Sequence, residues 1–346
     1  MKIKLIFYFL ILIFIPFSAY SRESPFYKGE MIFDKVAKFP SCHASFIIEL
    51  PNKDLFVVWY AGTRESAKDV AILGSRLIYG KSDWTEPEIV ADTPNYSEGN
   101  PVLFVDKNKR LILYYMTMYG RGWTTCKIKS KISTDNGYTW SEEQIFREEF
   151  GWMVRNHLLV LNNGDIIFPM YDEMAWSSVF MYSNDNLKSW KKTSILKSTP
   201  GNIQPTTVQL KNGNLLSLMR TGRDRNKKNY LWKSISFNNG RDWTEPEPTV
   251  IPNPNAAVDM VMLDNGNIVL AYNDSFNRRT PLNLTLSEDE GKTWKYSRAV
   301  ETDEGEFSYP SINQTKDGKI HLTYTYRRIR IKHVVVNEEW IKNTPK

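Results

Sequence analysis

Val160-Leu161-Asn162-Asn163-Gly164-Asp165-Ile166-Ile167-Phe168 is an apolar pair, a polar turn and a second apolar run in one short stretch. Asn-Gly supplies the positive φ that a two-residue hairpin turn requires, so the stretch reads as a β-hairpin. The same pattern returns on both sides. Gln209–Leu218, Met262–Tyr272 and Gln314–Tyr324 carry Asn-Gly or Asp-Gly, whereas Glu49–Trp59 and Phe104–Tyr115 carry Asn-Lys in its place. With the glycine or its counterpart at 53, 109, 164, 213, 266 and 318, neighbouring turns lie 49 to 56 residues apart. A period of that size built from short strands marks a propeller, because one small twisted sheet cannot bury both of its faces alone. Six repeats predict an all-β fold, a six-bladed β-propeller with four-stranded antiparallel blades. It forms a single domain over residues 22–346, although a chain of 346 residues would by length alone suggest two domains.

A second repeat lies between the hairpins. Ser133-Thr134-Asp135-Asn136-Gly137-Tyr138-Thr139-Trp140 and Ser287–Trp294 match S-x-D-x-G-x-T-W in full, Ser183–Trp190 and Ser236–Trp243 match it in part, and Ser82-Asp83-Trp84 keeps only the end. Such a segment suits a strand-to-strand turn: the Asp accepts backbone hydrogen bonds, the Gly takes positive φ and the Trp packs between blades.

The chain opens with Lys2 and Lys4, an apolar run from Leu5 to Phe17 and the small-residue ending Ser18-Ala19-Tyr20-Ser21. These are the parts of a secretory signal, and the run is too short for a stable bilayer anchor. Residues 1–21 are therefore expected to be a cleaved signal peptide, and the protein to be secreted or periplasmic with no membrane span afterwards. Losing Lys2 and Lys4 lowers the formal net charge from +6 to +4. That scattered surplus mildly favours anionic partners and does not argue for nucleic acid. Cys42 and Cys126 are equally readable as a disulfide or as two buried thiols. Zinc-site spacing is absent, so no metal and no cofactor are expected.

The full Asp-boxes, the six hairpins and the phrases Cys42-His43-Ala44-Ser45, Ala61-Gly62-Thr63-Arg64-Glu65 and Tyr309-Pro310-Ser311-Ile312 resemble the sialidase-like, Asp-box (BNR) propeller superfamily. The resemblance covers the whole mature chain. It implies the fold directly, whereas function has to be argued from the site.

In a propeller hairpin the start of the first strand and the end of the second lie on one side, because the strands are antiparallel. Reading about nine residues before each turn gives His43, Asn100, Arg155, Gln204, Asp259 and Tyr309. Reading just beyond the second strands gives Arg64, Asp172, Glu173, Arg220, Asn273, Asp274, Arg327 and Arg328. The set is almost wholly polar and rich in arginine, whose planar fork suits a carboxylate or sulfate. It points to an anionic oligosaccharide or polysaccharide as substrate, handled by a monomer. Plainer readings accompany it. Arg327 and Arg328, with Arg330 and Lys332, also fit a solvated edge strand. His43 also fits a satisfied core histidine, and His157, His321 and His333 read as structural or surface residues.

In sialidases three arginines grip the sugar carboxylate, a glutamate-activated tyrosine is the nucleophile and an aspartate of a first-blade loop is the acid/base. The resemblance thus implies Tyr309 as nucleophile, Arg220 as the fourth-blade arginine, Asp69 as acid/base and Asp172 or Glu173 as the carboxylate that polarises Tyr309. The Arg-Ile-Pro phrase that opens the family's first blade has no counterpart here, since Cys42-His43-Ala44-Ser45 stands instead, and Asn273 or Arg278 would have to replace a fifth-blade arginine. Three functions follow in order of preference. The first is β-elimination or dehydration at a terminal uronic sugar, with Arg220 and Asn100 or Gln204 neutralising the carboxylate and His43 and Tyr309 as base and acid. The second is an exo-α-sialidase-type hydrolase with a tyrosine nucleophile. The third is a non-catalytic glycan-binding propeller.

Overall fold

The computed structural model describes residues 23–222, 224 and 228–343, so the expected leader over 1–21 lies outside the described residues. Six antiparallel sheets follow one another round a central channel. The first blade is Ser41–Glu49, Leu55–Gly62, Ala71–Leu77 and Glu88–Ala91, and the second is Ser97–Val105, Leu111–Met118, Cys126–Ser133 and Gln144–Arg147. The third blade splits its first strand into Trp152–Val154 and Leu159–Val160, both paired with Ile166–Asp172, before Ser177–Ser183 and Lys191–Leu196. The fourth is Asn202–Gln209, Leu215–Thr221, Tyr230–Ser236 and Glu247–Pro252, and the fifth is Asp259–Met262, Ile268–Asn273, Leu282–Ser287 and Tyr296–Glu301. The second strand of each blade is sandwiched between neighbouring blades. Leu55–Gly62 and Leu111–Met118 are buried at every residue, which explains their near-continuous apolar sequences.

The sixth blade contains Phe307–Gln314, Ile320–Tyr326 and Arg330–Val336, and its outer strand is the N-terminal Tyr27–Met31. Tyr27 pairs with Val336 and Met31 with Lys332, so the chain ends close the ring. Arg330 and Lys332 therefore sit in an inner strand rather than on a solvated edge. Glu30 of the closing strand accepts Trp84 Nε1 of the first blade at 3.1 Å and His333 Nδ1 at 3.1 Å, tying both ends to the first blade.

All six expected turn positions have positive φ, from 61° at Lys109 to 87° at Gly213. The turn type differs from the two-residue expectation. Each turn holds a single left-handed residue, and the hydrogen bonds pair Leu50 N with Asp54 O and Lys53 N with Leu50 O, repeated at the other five turns. That is a three-residue loop, a type I turn closed by a left-handed bulge residue. Only one position need be left-handed, and lysine occupies it twice. Two successive left-handed residues occur instead in the Asp-boxes, at Asn136-Gly137, Asn186-Leu187, Asn239-Gly240 and Glu290-Gly291. There Asp135 Oδ1 accepts Thr139 N at 2.9 Å and Ser133 Oγ accepts Gly137 N at 2.7 Å. The box tryptophans reach the preceding blade, with Trp243 stacked on Phe180 at 4.1 Å and Trp190 against Phe146 at 5.8 Å. Cys42 and Cys126 are buried free thiols in different blades, which settles their two readings against a disulfide. No helix of the described residues is long and apolar enough to cross a membrane.

Candidate active site

Four first strands break register in the same way, between His43 and Phe46, Gly99 and Val102, Ile203 and Thr206, and Ser308 and Ser311. At each break one residue is left-handed: Ala44, Asn100, Gln204 and Tyr309, with φ of 57°, 35°, 53° and 53°. Each stands nine positions before its turn residue. Positive φ is a costly state for a tyrosine or glutamine, and a bulge of this kind re-aims the side chain it carries. In three blades the re-aimed side chain lines one cavity of about 190 Å³.

Tyr309 is the centre of that cavity. Its hydroxyl accepts Arg220 Nη1 at 3.0 Å and lies 3.4 Å from Gln204 Nε2, while the guanidiniums of Arg155, Arg279 and Arg220 stand 5.3, 5.5 and 6.0 Å from its ring. Burial pushes the phenol up, but the charges of Arg220 and Arg279 and the Gln204 hydrogen bond more than reverse it, so its pKa falls below the ordinary tyrosine value. Neither Asp172 nor Glu173 bonds Tyr309, contrary to expectation. Asp172 folds back instead onto the backbone amides of Met174 and Ala175, at 2.9 Å each.

Arg220, Arg279 and Arg328 line the same cavity. Glu306 organises two of them, accepting Arg279 Nη1 at 2.7 Å and Arg328 Nε at 3.0 Å, and Glu65 pairs with Arg328 from the opposite side. Arg220 has only neutral partners among the described residues: Asn255 Oδ1 at 2.6 Å, Gln204 Oε1 at 3.0 Å and the Tyr309 hydroxyl. Its charge is the one left open to a ligand anion. Arg279 lines the cavity, whereas Asn273 and Arg278, the residues offered for a fifth-blade arginine, do not. Arg278 is exposed, and Asn273 is fully buried with its amide on the carbonyls of Phe307 and Pro281, at 2.8 and 3.2 Å.

Glu173 also lines the cavity and has no hydrogen-bond or ion-pair partner for its carboxyl among the described residues. Burial raises its pKa above that of an ordinary glutamic acid despite the Arg220 charge. A half-buried carboxyl whose pKa is raised by burial, lining the same cavity as the Tyr309 hydroxyl, has the properties of a general acid. Asp69, the expected acid/base, is exposed outside the lining, where its carboxylate accepts Thr63 N at 3.1 Å and the Thr63 hydroxyl. Arg64 is exposed as well, and Arg327 turns outward to Asp303 at 3.5 Å.

His43 does not reach the cavity. It is 1% exposed, its Nδ1 lies 2.9 Å from Thr325 Oγ1 and its ring packs beneath Tyr309 at 4.2 Å. Burial first, then the charges of Arg328 and Arg279, hold its pKa well below the ordinary histidine value, so the imidazole is neutral. Arg155 and Asp259 also lie outside the lining, because they plug the channel. Arg155 Nη2 donates to the carbonyls of Ser45, Tyr309 and Pro310 at 3.3, 3.0 and 2.9 Å. Asn156 Nδ2 donates to those of Gln204, Pro205 and Val258, and Asp259 ties together Thr206 Oγ1, Ile312 N and His157 Nε2. Of the residues expected at the site, the cavity thus gathers Tyr309, Arg220, Asn100, Gln204, Glu173 and Arg328.

Tyr60, Glu65, Trp123, Met153, Tyr171 and Arg279 complete the lining and were not foreseen. Two of them had a usable signal. Tyr60 and Tyr171 stand seven positions after their turn residues, the offset at which Arg220 stands, but they lie inside apolar runs that read as core. Tyr171 is part of the polar floor, its hydroxyl taking Asn100 Nδ2 at 3.2 Å. No cluster of three or more His, Cys, Asp or Glu able to hold a metal occurs among the described residues.

Residues 53–322 match the model of the BNR repeat-like domain. The chain belongs to that family. The anhydrosialidase of Macrobdella decora is 23% identical over 249 residues, which are 63% of this chain and 32% of the relative. The chain thus spans about a third of the length of the curated relative it matches. The intramolecular trans-sialidase of Ruminococcus gnavus, solved with oseltamivir carboxylate, superposes with a TM-score of 0.77 at 17% identity over 91% of this chain and 98% of its own. A Hadza microbial sialidase gives 0.76 at 17% identity over 90% and 69%. At these identities the superpositions establish the sialidase-like BNR propeller as the fold.

Proposed function

We propose that this chain is a carbohydrate-active enzyme that binds the carboxylate of a terminal sugar acid through Arg220, Arg279 and Arg328 and attacks the anomeric carbon with Tyr309. The observation that carries the reading is the Tyr309 hydroxyl, held by Arg220 on a strained bulge and lowered in pKa among guanidiniums. Tyr309 reacts as the phenolate that the neighbouring guanidiniums favour: its oxygen forms a bond to the anomeric carbon as the bond to the leaving oxygen breaks, and the leaving oxygen takes its proton from Glu173. In the second half water, or a hydroxyl of the same sugar, displaces Tyr309 and returns a proton to Glu173. The similarity to proteins named as sialidases and trans-sialidases favours a sialic acid. Export by residues 1–21 would place the site where extracellular glycans are.

One observation favours elimination at a uronic sugar as the second reading. Gln204, not a carboxylate, stands beside the Tyr309 oxygen, so the phenolate is set by arginine and equally suits a base. His43 takes no direct part in either scheme, as it is buried under the ring. Incubation with sialyl and uronic oligosaccharides separates the two. Free sugar acid or its anhydro form is the expected product, whereas an unsaturated sugar with new ultraviolet absorbance would establish elimination. Tyr309→Phe is expected to lower turnover by about 10³-fold or more with Tm unchanged, as for loss of a nucleophile. Retained turnover would end both schemes.

A further inference from the structure

A second hollow, of about 480 Å³, lies on the cavity's face of the propeller over the junction of the first and second blades. Two loops stand between it and the Tyr309 cavity and line both. Residues 63–69 turn Glu65 into the cavity and Ser66 and Lys68 into the hollow, and residues 119–125 turn Trp123 into the cavity and Tyr119 into the hollow. Tyr96 and Tyr119 form an open aromatic corner there, with ring centroids 4.8 Å apart at 48° and exposures of 37% and 40%. The same loops carry Arg64, Lys68 and Arg121, all exposed and none in an ion pair among the described residues.

Two features of this corner suit a ligand, although Tyr119 also has the ammonium groups of Lys127 and Lys129 at 5.5 and 5.6 Å from its ring centroid. Large aromatic side chains exposed side by side next to a pocket mark a contact surface rather than packing. Tyrosine rings offer a broad amphipathic face at little entropic cost, and the C–H face of a sugar ring packs against such a face. Lys68 lines the hollow itself and Arg64 and Arg121 stand exposed on the same two loops, a cationic rim that favours an anionic ligand. Continuity through two shared loops fixes its position, next to whatever the arginines of the cavity hold.

We propose that this hollow is the subsite for the one or two sugar residues adjoining the terminal acid on an anionic oligosaccharide, stacked on Tyr96 and Tyr119 with their acidic groups facing Arg64, Lys68 and Arg121. The inference rests on the reading of the cavity as a site for a terminal sugar acid. It makes the enzyme selective for acidic chains over single acidic sugars.

Calorimetric titration of the full chain in the Tyr309→Phe background tests it without consuming the probe. The probes are N-acetylneuraminic acid and its α2,8-linked tetramer, and galacturonic acid and its tetramer. In one series the tetramer is expected to bind about tenfold tighter than its monomer, with the gain abolished by Tyr96→Ala/Tyr119→Ala. Arg64→Gln/Lys68→Gln/Arg121→Gln, entirely on exposed loops, is expected to cut the gain and flatten its dependence on salt. Equal affinity of monomer and tetramer in both series, no binding in either, or a gain that survives both variants overturns the subsite. Turnover by the unsubstituted chain is read separately. Length-dependent binding without turnover of either tetramer would end the enzymatic reading and leave the subsite standing.

Discussion

Arg155 and Arg220 both stand over the same tyrosine ring, at 5.3 and 6.0 Å, yet they are built for opposite ends. Arg155 is fully buried and spends its Nη2 on three backbone carbonyls of the first and sixth blades. Arg220 bonds an amide, a hydroxyl and another amide and faces the cavity without a carboxylate partner. A buried guanidinium that joins carbonyls of two blades through one nitrogen, its Nε and Nη1 buried without partners, acts as a structural rivet, whereas one held by neutral side chains at the cavity wall keeps its charge for a ligand. Polarity in a propeller channel therefore does not by itself mark a binding site; the partners of each charge decide.

The sharpest way to break that comparison is to replace both arginines with methionine. Arg220→Met is expected to lower kcat/KM on the acidic substrate by about 10³-fold, roughly 4 kcal/mol of transition-state binding, with Tm within a few degrees of the parent. Arg155→Met is expected to do the reverse. It strands buried carbonyls of two blades and should cost about 3 kcal/mol of stability in denaturant unfolding, while the folded fraction keeps most of its turnover. If the two variants exchange these signatures, the assignment of rivet and ligand site is inverted.

A smaller effect is expected at Glu173. Burial raises its folded pKa, so it stays protonated to higher pH than an ordinary glutamic acid, and as a general acid it fails only as pH rises through that value. Activity should therefore fall on the alkaline side. Glu173→Gln should lower turnover by about 10²-fold and remove that alkaline limb, with substrates bearing good leaving groups least affected. A limb that persists in the variant assigns the proton to another group.

Much of this fold was legible in the chain. All six turns sit at the expected residues because left-handed backbone requires Gly, Asn or a tolerated Lys, and the Asp-boxes are local hydrogen-bonded units whose residues follow one another. Ring closure was not legible. Tyr27–Met31 buries almost nothing, so it lacks the alternation that betrays a strand, and its pairing with Arg330–Val336 is set by the whole ring. The site was half legible for a related reason. The bulge recurs nine residues before the turn, a local feature that points to Asn100, Gln204 and Tyr309 but falls on Ala44 in the first blade, so a slip of one residue brings in His43. Arg279, Glu65 and Trp123 come from loops of unequal length, whose side chains no fixed offset can place.

His43 gives the finest test of the contrast, because it lies between rivet and cavity. Its Nδ1 meets Thr325 and its ring supports Tyr309 and Tyr60, at 4.2 and 5.5 Å. With its folded pKa held well below the ordinary value by burial, it is expected to stay neutral and to contribute no limb to the pH profile of the proposed reaction. His43→Phe keeps an aromatic ring under the tyrosine and removes both nitrogens. The expected result is turnover within about tenfold of the parent, a change of at most about 1.4 kcal/mol from a less firmly seated Tyr309, with an unaltered pH profile. Loss of an acidic limb in this variant would show that the imidazole takes up a proton during the reaction. That would return His43 to the chemistry and make elimination, with a histidine and a tyrosine acting in turn, the better account of the site.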